Sequence, residues 1–189
     1  GGDRDPNNAD PGPSITMRLA PHLREIPQPI ISAVNGVAAG AGLGIALASD
    51  IRLASEGARF TSVFVKRSLV PDAGVSEILI ALAGPGIAAE MSYTGRVYDA
   101  RWALSKGLVN DVIPEDELMP QAEALANEIA ANPPLAVKAI KGLFNVHHTS
   151  LNKVILAEHR ANDPLRGTND QKEAVQAFLE KRSPKFTGT

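Results

Sequence analysis

The pattern of hydrophobic and polar positions changes near residue 74 of the chain. Before that point, short β-branched runs bounded by turn residues predict strands, and two apolar segments predict helices. After it, the spacing of the apolar residues is helical almost throughout. We predict strands at 30–34, 50–55 and 58–62 and helices at 14–26, 43–49, 74–83, 86–93, 99–107, 115–132, 134–147, 150–162 and 168–182. This order is typical of an α/β protein with a βα core and a helical C-terminal arm.

The same pattern divides the chain into three segments. Residues 1–13 are dense in Gly, Pro, Asn and Asp and cannot bury enough apolar surface to offset their chain entropy, so we predict a flexible loop. Residues 14–115 form the predicted core, and residues 116–189 form the predicted helical region. A chain of 189 residues is long enough for one domain with a sizeable core.

Composition and charge exclude several classes of protein. The net charge is −2 and the basic residues are scattered, so we expect no nucleic-acid partner. The absence of cysteine excludes disulfides and fits a cytoplasmic protein. No apolar run approaches the ~20 residues that span a bilayer, so we expect no membrane association. The four histidines lack metal-ligand spacing, and we predict no metal site.

A turn rich in small residues lies in the stretch NGVAAGAGLGIALASD, residues 35–50. A strand that ends there and opens a helix leaves backbone N–H groups unpaired, and Gly40, Ala41 and Gly42 have no bulky side chain to shield them. The Gly-Lys-Ser/Thr of a P-loop is missing, and Ile45 occupies the third glycine of a dinucleotide fingerprint. Two explanations stay open, namely a ligand that contacts the backbone and close packing of the helix on a sheet.

The chain resembles the crotonase superfamily, which contains enoyl-CoA hydratases, isomerases and their relatives. Its blocks follow the family order from Pro29 to the C-terminus: PIISAVNGVAAGAGLGIALASDIRLAS through ARF, then LVPDAG, YTGRVYDARWALSKGLVNDVIP and AVQAFLEKRSPKF. The resemblance implies a ββα spiral, incomplete at its N-terminus, with an acyl-CoA site in residues 14–115. It also implies that residues 116–189 drive assembly into a trimer or a dimer of trimers.

The resemblance also implies how an acyl-CoA thioester binds. Two backbone amides would hold its carbonyl oxygen, and the amide of Ala41 matches one of them. The segment GGD at the start of the chain matches the end of an Ala-Gly-x-Asp loop, which makes Gly2 the second donor and Asp3 its neighbour at the site. Gly40 would line the same site. A tag remnant is the alternative explanation of Gly1 and Gly2.

The resemblance also indicates which residues could transfer a proton. The two glutamates of the family's hydratases fall on Gly44 and Phe64, so hydration is hard to assign, and these positions would instead line the acyl group. Asp72 matches the catalytic aspartate of some isomerases and of a dehalogenase, in which it is a nucleophile. A single carboxylate in an apolar pocket suits a base that moves a proton between two carbons. The alternatives are that Asp72 caps the next helix and that Phe64 is a core aromatic.

The C-terminal tail is the last candidate. In relatives it covers the nucleotide end of CoA, which would involve Phe178 and Lys181, whereas on sequence alone it is an ordinary basic helix end.

The leading hypothesis is an acyl-CoA enzyme that shifts a double bond through an oxyanion-stabilised enolate without a cofactor. The alternatives are a non-catalytic acyl-CoA binding protein and another reaction of the superfamily: hydration, thioester hydrolysis or dehalogenation.

Overall fold

The computed structural model describes residues 12–145 and 151–189. The predicted flexible loop therefore lies outside the described residues up to position 11, as do the candidate site residues Gly2 and Asp3. The elements in chain order are α1 (Ile15–Glu25), β1 (Ile31–Val34), β2 (Val37–Ala39), α2 (Ala41–Ala48), β3 (Ile51–Ser55), β4 (Arg59–Thr61), α3 (Val75–Thr94), β5 (Tyr98–Asp99), α4 (Ala100–Ser105), β6 (Asp111–Ile113), α5 (Leu118–Ala130), α6 (Pro134–Asn145), α7 (Leu151–Asn162) and α8 (Asn169–Leu179). Residues Val63–Arg67 and Asp163–Leu165 form short 3₁₀ helices.

The first four strands of the chain alternate between two sheets. Strands β1, β3 and β6 form one parallel sheet, with Ile31 opposite Ile51. Strands β2, β4 and β5 form the other, in which β2 and β4 are parallel and β5 is antiparallel. Each of the first two turns, β1–β2 and β3–β4, thus adds one strand to each sheet before the next long helix, whereas α4 separates β5 from β6. The predicted ββα spiral is confirmed by this alternation, whereas the predicted trimer stays a prediction.

The sequence analysis missed three short strands. Strands β2, β5 and β6 are only 3, 2 and 3 residues long, which is too short for an alternating pattern to be visible. Strands β5 and β6 lie between the predicted helices, apart from Asp99, at positions to which no element was assigned. The predicted break between two helices near residue 84 is present as a kink inside α3, where Gly84 has φ 79° and ψ 165° and Pro85 follows.

Helix α2 lies at the centre of the main hydrophobic core. It carries no charge, and its Leu43 and Leu47 are fully buried together with Phe60 of β4 and Leu79 of α3. Burial of each such side chain contributes about 1.5–3 kcal/mol, so this helix is a major source of stability. Helix α2 contacts α1, β2 and α3, and this packing fixes the place where its N-terminus lies.

Helix α3 is long and apolar enough, by length and composition, to cross a membrane. The expectation that no segment reaches this length is therefore wrong for Val75–Thr94. Its Ile78 and Met91 are nevertheless fully buried against the rest of the chain. We assign α3 as a core helix for this reason.

The helical region packs on the core at separate points. Helix α5 covers β1 and β3, α7 contacts α1 and α3, and α8 contacts the 3₁₀ helix Val63–Arg67. Helix α6 inserts Lys141, whose ammonium group lies 2.8 Å from the carboxylate of Asp50 and 2.8 Å from the carbonyl oxygen of Gln28. The apolar Leu143 and Phe144 of the same helix stay largely exposed.

Gly44 is the point of closest contact between α2 and the loop before α3. A Cβ atom at position 44 would lie 2.8 Å from the carbonyl oxygen of Ala73 and 3.0 Å from its Cβ. Since a backbone atom is in the way, any side chain at this position requires the loop to move. Gly44 therefore allows close packing of α2 on this loop, whereas the sequence analysis considered close packing on a sheet. The predicted contact of Gly44 with substrate stays a prediction.

Replacing Gly44 by Ala is expected to lower the free energy of unfolding by about 1–3 kcal/mol, because the added methyl group overpacks the contact with Ala73. The matched control is Gly142→Ala in α6, where an added Cβ meets no atom within 4 Å. This second change is expected to raise stability by about 0.5–1 kcal/mol through helix propensity. Urea denaturation of both variants makes the comparison. Equal effects at the two glycines would contradict the packing explanation.

Candidate active site

The first element of the candidate site is the free amide of Ala41 at the start of α2. Gly40 precedes it with φ 54° and ψ −121°, a backbone conformation that favours glycine, and donates its own N–H to the carbonyl oxygen of Thr61 at 3.3 Å. Within residues 12–145 and 151–189 the Ala41 amide donates to no acceptor. It lies at the positive end of the helix dipole, so it can donate to a partly negative ligand oxygen.

Phe64 lies directly beside this turn. It belongs to the 3₁₀ helix Val63–Arg67, is 6% exposed, and its ring would lie 3.7 Å from a Cβ atom at Gly40. Phe64 is thus a core aromatic, which was one of the two explanations considered for it. Its ring also packs beside the glycine turn. Its predicted contact with an acyl group stays a prediction.

The second element is the loop that carries Asp72. Ala73 has φ 52°, a left-handed conformation that is unfavourable for a residue with a Cβ atom, and Gly74 follows with φ 77°. Such a residue costs of order 1–3 kcal/mol and persists only where its surroundings hold it. The loop therefore stores backbone strain next to the candidate base.

Asp72 does not cap α3, and this alternative is wrong. The N-cap of α3 is Gly74, no side chain of the cap residue bonds the first turn, and the main-chain oxygen of Asp72 accepts from Val75 at 3.0 Å. The side-chain Oδ1 of Asp72 is buried, and no hydrogen-bond partner for it exists among the described residues. A buried polar atom without a partner is rare in native proteins and calls for a functional explanation.

The electrostatics of Asp72 favour a proton acceptor. Burial raises the pKa of its carboxyl group, and the positive charge of Arg166 opposes the shift. A carboxylate that is destabilised by burial has a higher affinity for a proton, which is the property of a general base.

The two elements are linked through Gly44. Ala41 and Gly44 lie one turn apart on α2, and Gly44 packs on Ala73, the neighbour of Asp72. The fold therefore brings the free amide of Ala41 and the buried Oδ1 of Asp72 into one region, although the two residues are 31 positions apart in the sequence. The catalytic roles of Ala41 and Asp72 stay predictions.

The sequence analysis missed Glu158 and Asn162, two buried residues of α7. Their side chains bind the loop on either side of Asp72, Glu158 at Gly74 and Asn162 at Val70. The signal in the sequence is weak, because spacing of four residues shows only that the two side chains share a helix face. Nothing in the sequence indicates which segment that face contacts.

The tail residues lie beside the 3₁₀ helix that carries Phe64. The guanidinium carbon of Arg67 lies 3.7 Å from the ring centroid of Phe178, which is a cation–π contact. Lys181 follows the end of α8 with φ 55°, and the neighbouring Arg182 forms ion pairs of 2.6 Å with each of Glu173 and Glu180. The predicted contacts of Phe178 and Lys181 with CoA stay predictions.

Comparison with known proteins gives consistent matches. A family model described as enoyl-CoA hydratase/isomerase matches residues 8–189. The 1,2-epoxyphenylacetyl-CoA isomerase of Escherichia coli (strain K12) is 36% identical, with 98% of this chain and 74% of the relative covered. The short-chain-enoyl-CoA hydratase of Clostridium acetobutylicum is 39% identical, with 85% and 62% covered. A crystal structure of an enoyl-CoA hydratase from Mycobacterium avium subsp. paratuberculosis K-10 is 34% identical and superposes with a TM-score of 0.87, covering 91% of this chain and 70% of that one.

Proposed function

The chain belongs to the enoyl-CoA hydratase/isomerase family, and on this premise we propose that it moves a double bond in an unsaturated acyl-CoA thioester. One observation carries the proposal above all others. The buried Oδ1 of Asp72 has no partner in the described part of the chain, and its loop packs on the helix that begins with the free amide of Ala41. A base and an oxyanion donor are the two groups that this reaction requires.

The proposed reaction has two proton transfers. The thioester oxygen accepts a hydrogen bond from the Ala41 amide, and from Gly2 if the resemblance applies there. Asp72 removes a proton from a carbon of the acyl group, and the electron pair of the broken C–H bond moves into a conjugated enolate whose charge rests on the thioester oxygen. Asp72 then returns the proton to another carbon, which leaves the double bond in a new place. No redox or metal cofactor takes part in the proposed sequence.

The number of available carboxylates supports isomerisation over hydration. Addition of water is assigned in the family to two glutamates, whose positions hold Gly44 and Phe64. Gly44 has no room for a side chain of any kind, and Phe64 is buried and apolar. The relatives named above include a hydratase as well as an isomerase, so the choice rests on these two positions and on Asp72.

The test is to supply the full protein with a 3-enoyl-CoA and a 2-enoyl-CoA in D₂O and to follow products by mass spectrometry. We expect conversion of the 3-enoyl to the 2-enoyl thioester with less than one deuterium at the carbon that receives the proton, because Asp72 returns the proton that it removed. Formation of the 3-hydroxyacyl thioester as the main product would overturn the isomerase assignment. Stabilisation by acyl-CoA without any product would favour the binding protein instead.

We also propose that the chain self-associates, as the resemblance implies. The exposed Leu143 and Phe144 of α6 support this, because a folded protein seldom leaves large apolar side chains together in water. A monomer in sedimentation velocity would contradict it.

A further inference from the structure

Two buried polar residues of α7 bind the loop that carries Asp72, and the reaction proposed above uses neither of them. Glu158 is 5% exposed and Asn162 is 4% exposed, so both are removed from water at a cost in solvation. They lie four residues apart on the same face of the helix. Their partners are all in residues 70–76, apart from one bond within α7 itself.

Glu158 holds the C-terminal side of the loop. Its Oε2 accepts from the amide of Gly74 at 3.0 Å, and its Oε1 accepts from the amide of Ser76 at 3.2 Å and from the Ser76 hydroxyl group. The carboxylate therefore takes the place of an N-cap side chain for α3. It comes from a distant helix, since Glu158 is 84 residues from Gly74 and 82 residues from Ser76 in the sequence. Both of its oxygens are occupied, so it is not free to act on a substrate.

Asn162 holds the N-terminal side of the loop. Its Oδ1 accepts from the amide of Val70 at 3.0 Å, and its Nδ2 donates to the carbonyl oxygen of Val70 at 3.2 Å. This pair of bonds satisfies both backbone groups of Val70, as a neighbouring strand would. Because it uses donor and acceptor together, it fixes the direction of the peptide as well as its position.

Asp72 lies midway between the two attachment points. Val70 and Gly74 are each two residues away, and the strained Ala73 lies inside the bound segment. A segment with a left-handed alanine relaxes unless its ends are held. Burial raises the pKa of Glu158, the bonds from Ser76 and Gly74 lower it, and the charge of Asp72 raises it, so the two carboxylates also interact through space.

We propose that Glu158 and Asn162 are positioning residues that hold the half-buried side chain of Asp72 so that its Oδ1 is buried without a partner among the described residues. The inference rests on the proposed function, since it gives these residues a part in proton transfer. It also makes the C-terminal helical region a component of the site, because α7 supplies both contacts.

The test compares three variants of the full chain. Asn162→Leu removes both bonds to Val70 without a change of charge. Glu158→Gln keeps one of the two side-chain oxygens that accept from the loop and removes the charge. It serves as the second variant if Asn162→Leu does not fold. Ile155→Ala is the control, since Ile155 is buried in the same helix and forms no hydrogen bond with the loop. We expect Asn162→Leu to lower kcat at least tenfold and Glu158→Gln to lower it less, with KM within about threefold of the wild type. Ile155→Ala should lower the Tm while kcat, measured below the Tm, is retained.

A second measurement does not depend on activity. The pKa of Asp72, followed by carboxyl ¹³C NMR, should fall towards its ordinary value in Asn162→Leu, because the buried Oδ1 of the released side chain reaches water. The variant keeps the charge of Arg166, which lowers the pKa of Asp72, and the charge of Glu158, whose pKa the charge of Asp72 raises. An unchanged Asp72 pKa together with unchanged kcat would overturn the inference. If the wild type shows no isomerisation, the proposed function fails, and an unchanged pKa in Asn162→Leu would then overturn the positioning role separately.

Discussion

Asp72→Asn is expected to lower kcat for isomerisation of a 3-enoyl-CoA by about 10²–10⁴-fold, the range that general acid–base catalysis supplies. The amide side chain has nearly the same shape but cannot accept the proton that the carbon must lose. Binding of the acyl-CoA should stay nearly intact, because the thioester contact comes from the backbone. Steady-state kinetics and isothermal titration with a non-reactive CoA thioester measure the two effects separately.

The matched control is Asp116→Asn, the same chemical change at an exposed position between β6 and α5, which should leave kcat unchanged. Loss of fold is excluded by a stability measurement. Burial raises the pKa of Asp72, so ionisation of this group destabilises the folded state as pH rises through the folded pKa. Asp72→Asn should therefore be more stable than the wild type at pH ~7 and equal to it below pH ~3.9, the ordinary pKa of Asp. Full turnover in Asp72→Asn would show that the base is another group.

Ala41→Pro is expected to lower kcat by about 10²–10³-fold, as loss of one oxyanion donor does in other enzymes. Proline removes the N–H group and little else, since Ala41 is the first residue of α2, where proline is well tolerated. Gly40 has φ 54° and ψ −121°, the mirror image of the extended backbone that proline prefers before it, and glycine adopts it without strain. The measurement is kcat and KM for the 3-enoyl-CoA.

Ile15→Pro is the control for this change. Ile15 is also the first residue of its helix, is 82% exposed, and follows Ser14 in an extended conformation. The Ile15→Pro variant should therefore retain both activity and stability. Ala41→Gly keeps the donor and should stay close to wild type in kcat. Equal kcat in Ala41→Pro and wild type would show that this amide does not contact the charge that develops in the reaction.

The sequence predicts the centre of the fold and one half of the site for clear physical reasons. The uncharged stretch that becomes α2 and the β-branched runs that become β1 and β3 are long enough for their periodicity to be read. The free amide at Ala41 follows from the same pattern, because a strand that ends before a helix must leave amides unpaired. A strand of two residues, such as β5, carries no period and is defined by its partner across the sheet.

The other half of the site depends on contacts that no local pattern records. The residues Pro-Asp-x-Gly alone favour a helix cap for Asp72, whereas the family resemblance favours a base, and the two explanations differ in where the side chain points. In the structure Glu158, from a distant helix, accepts from the amides of Gly74 and Ser76 at the start of α3, and Oδ1 of Asp72 has no partner among the described residues. The role of Gly44 could not be predicted for the same reason, because it depends on a close contact with the carbonyl group of Ala73 in a distant loop.

The alternation of strands between two sheets has a consequence for how this scaffold can change its chemistry. The donor at Ala41 is a main-chain group held between successive layers of the spiral, so substitutions of side chains leave it in place. The carboxylate belongs to a connection outside both sheets, where a residue can be exchanged without disturbing any ladder. One half of the proposed site is thus fixed by the architecture, while the other can change with substitutions in a single loop.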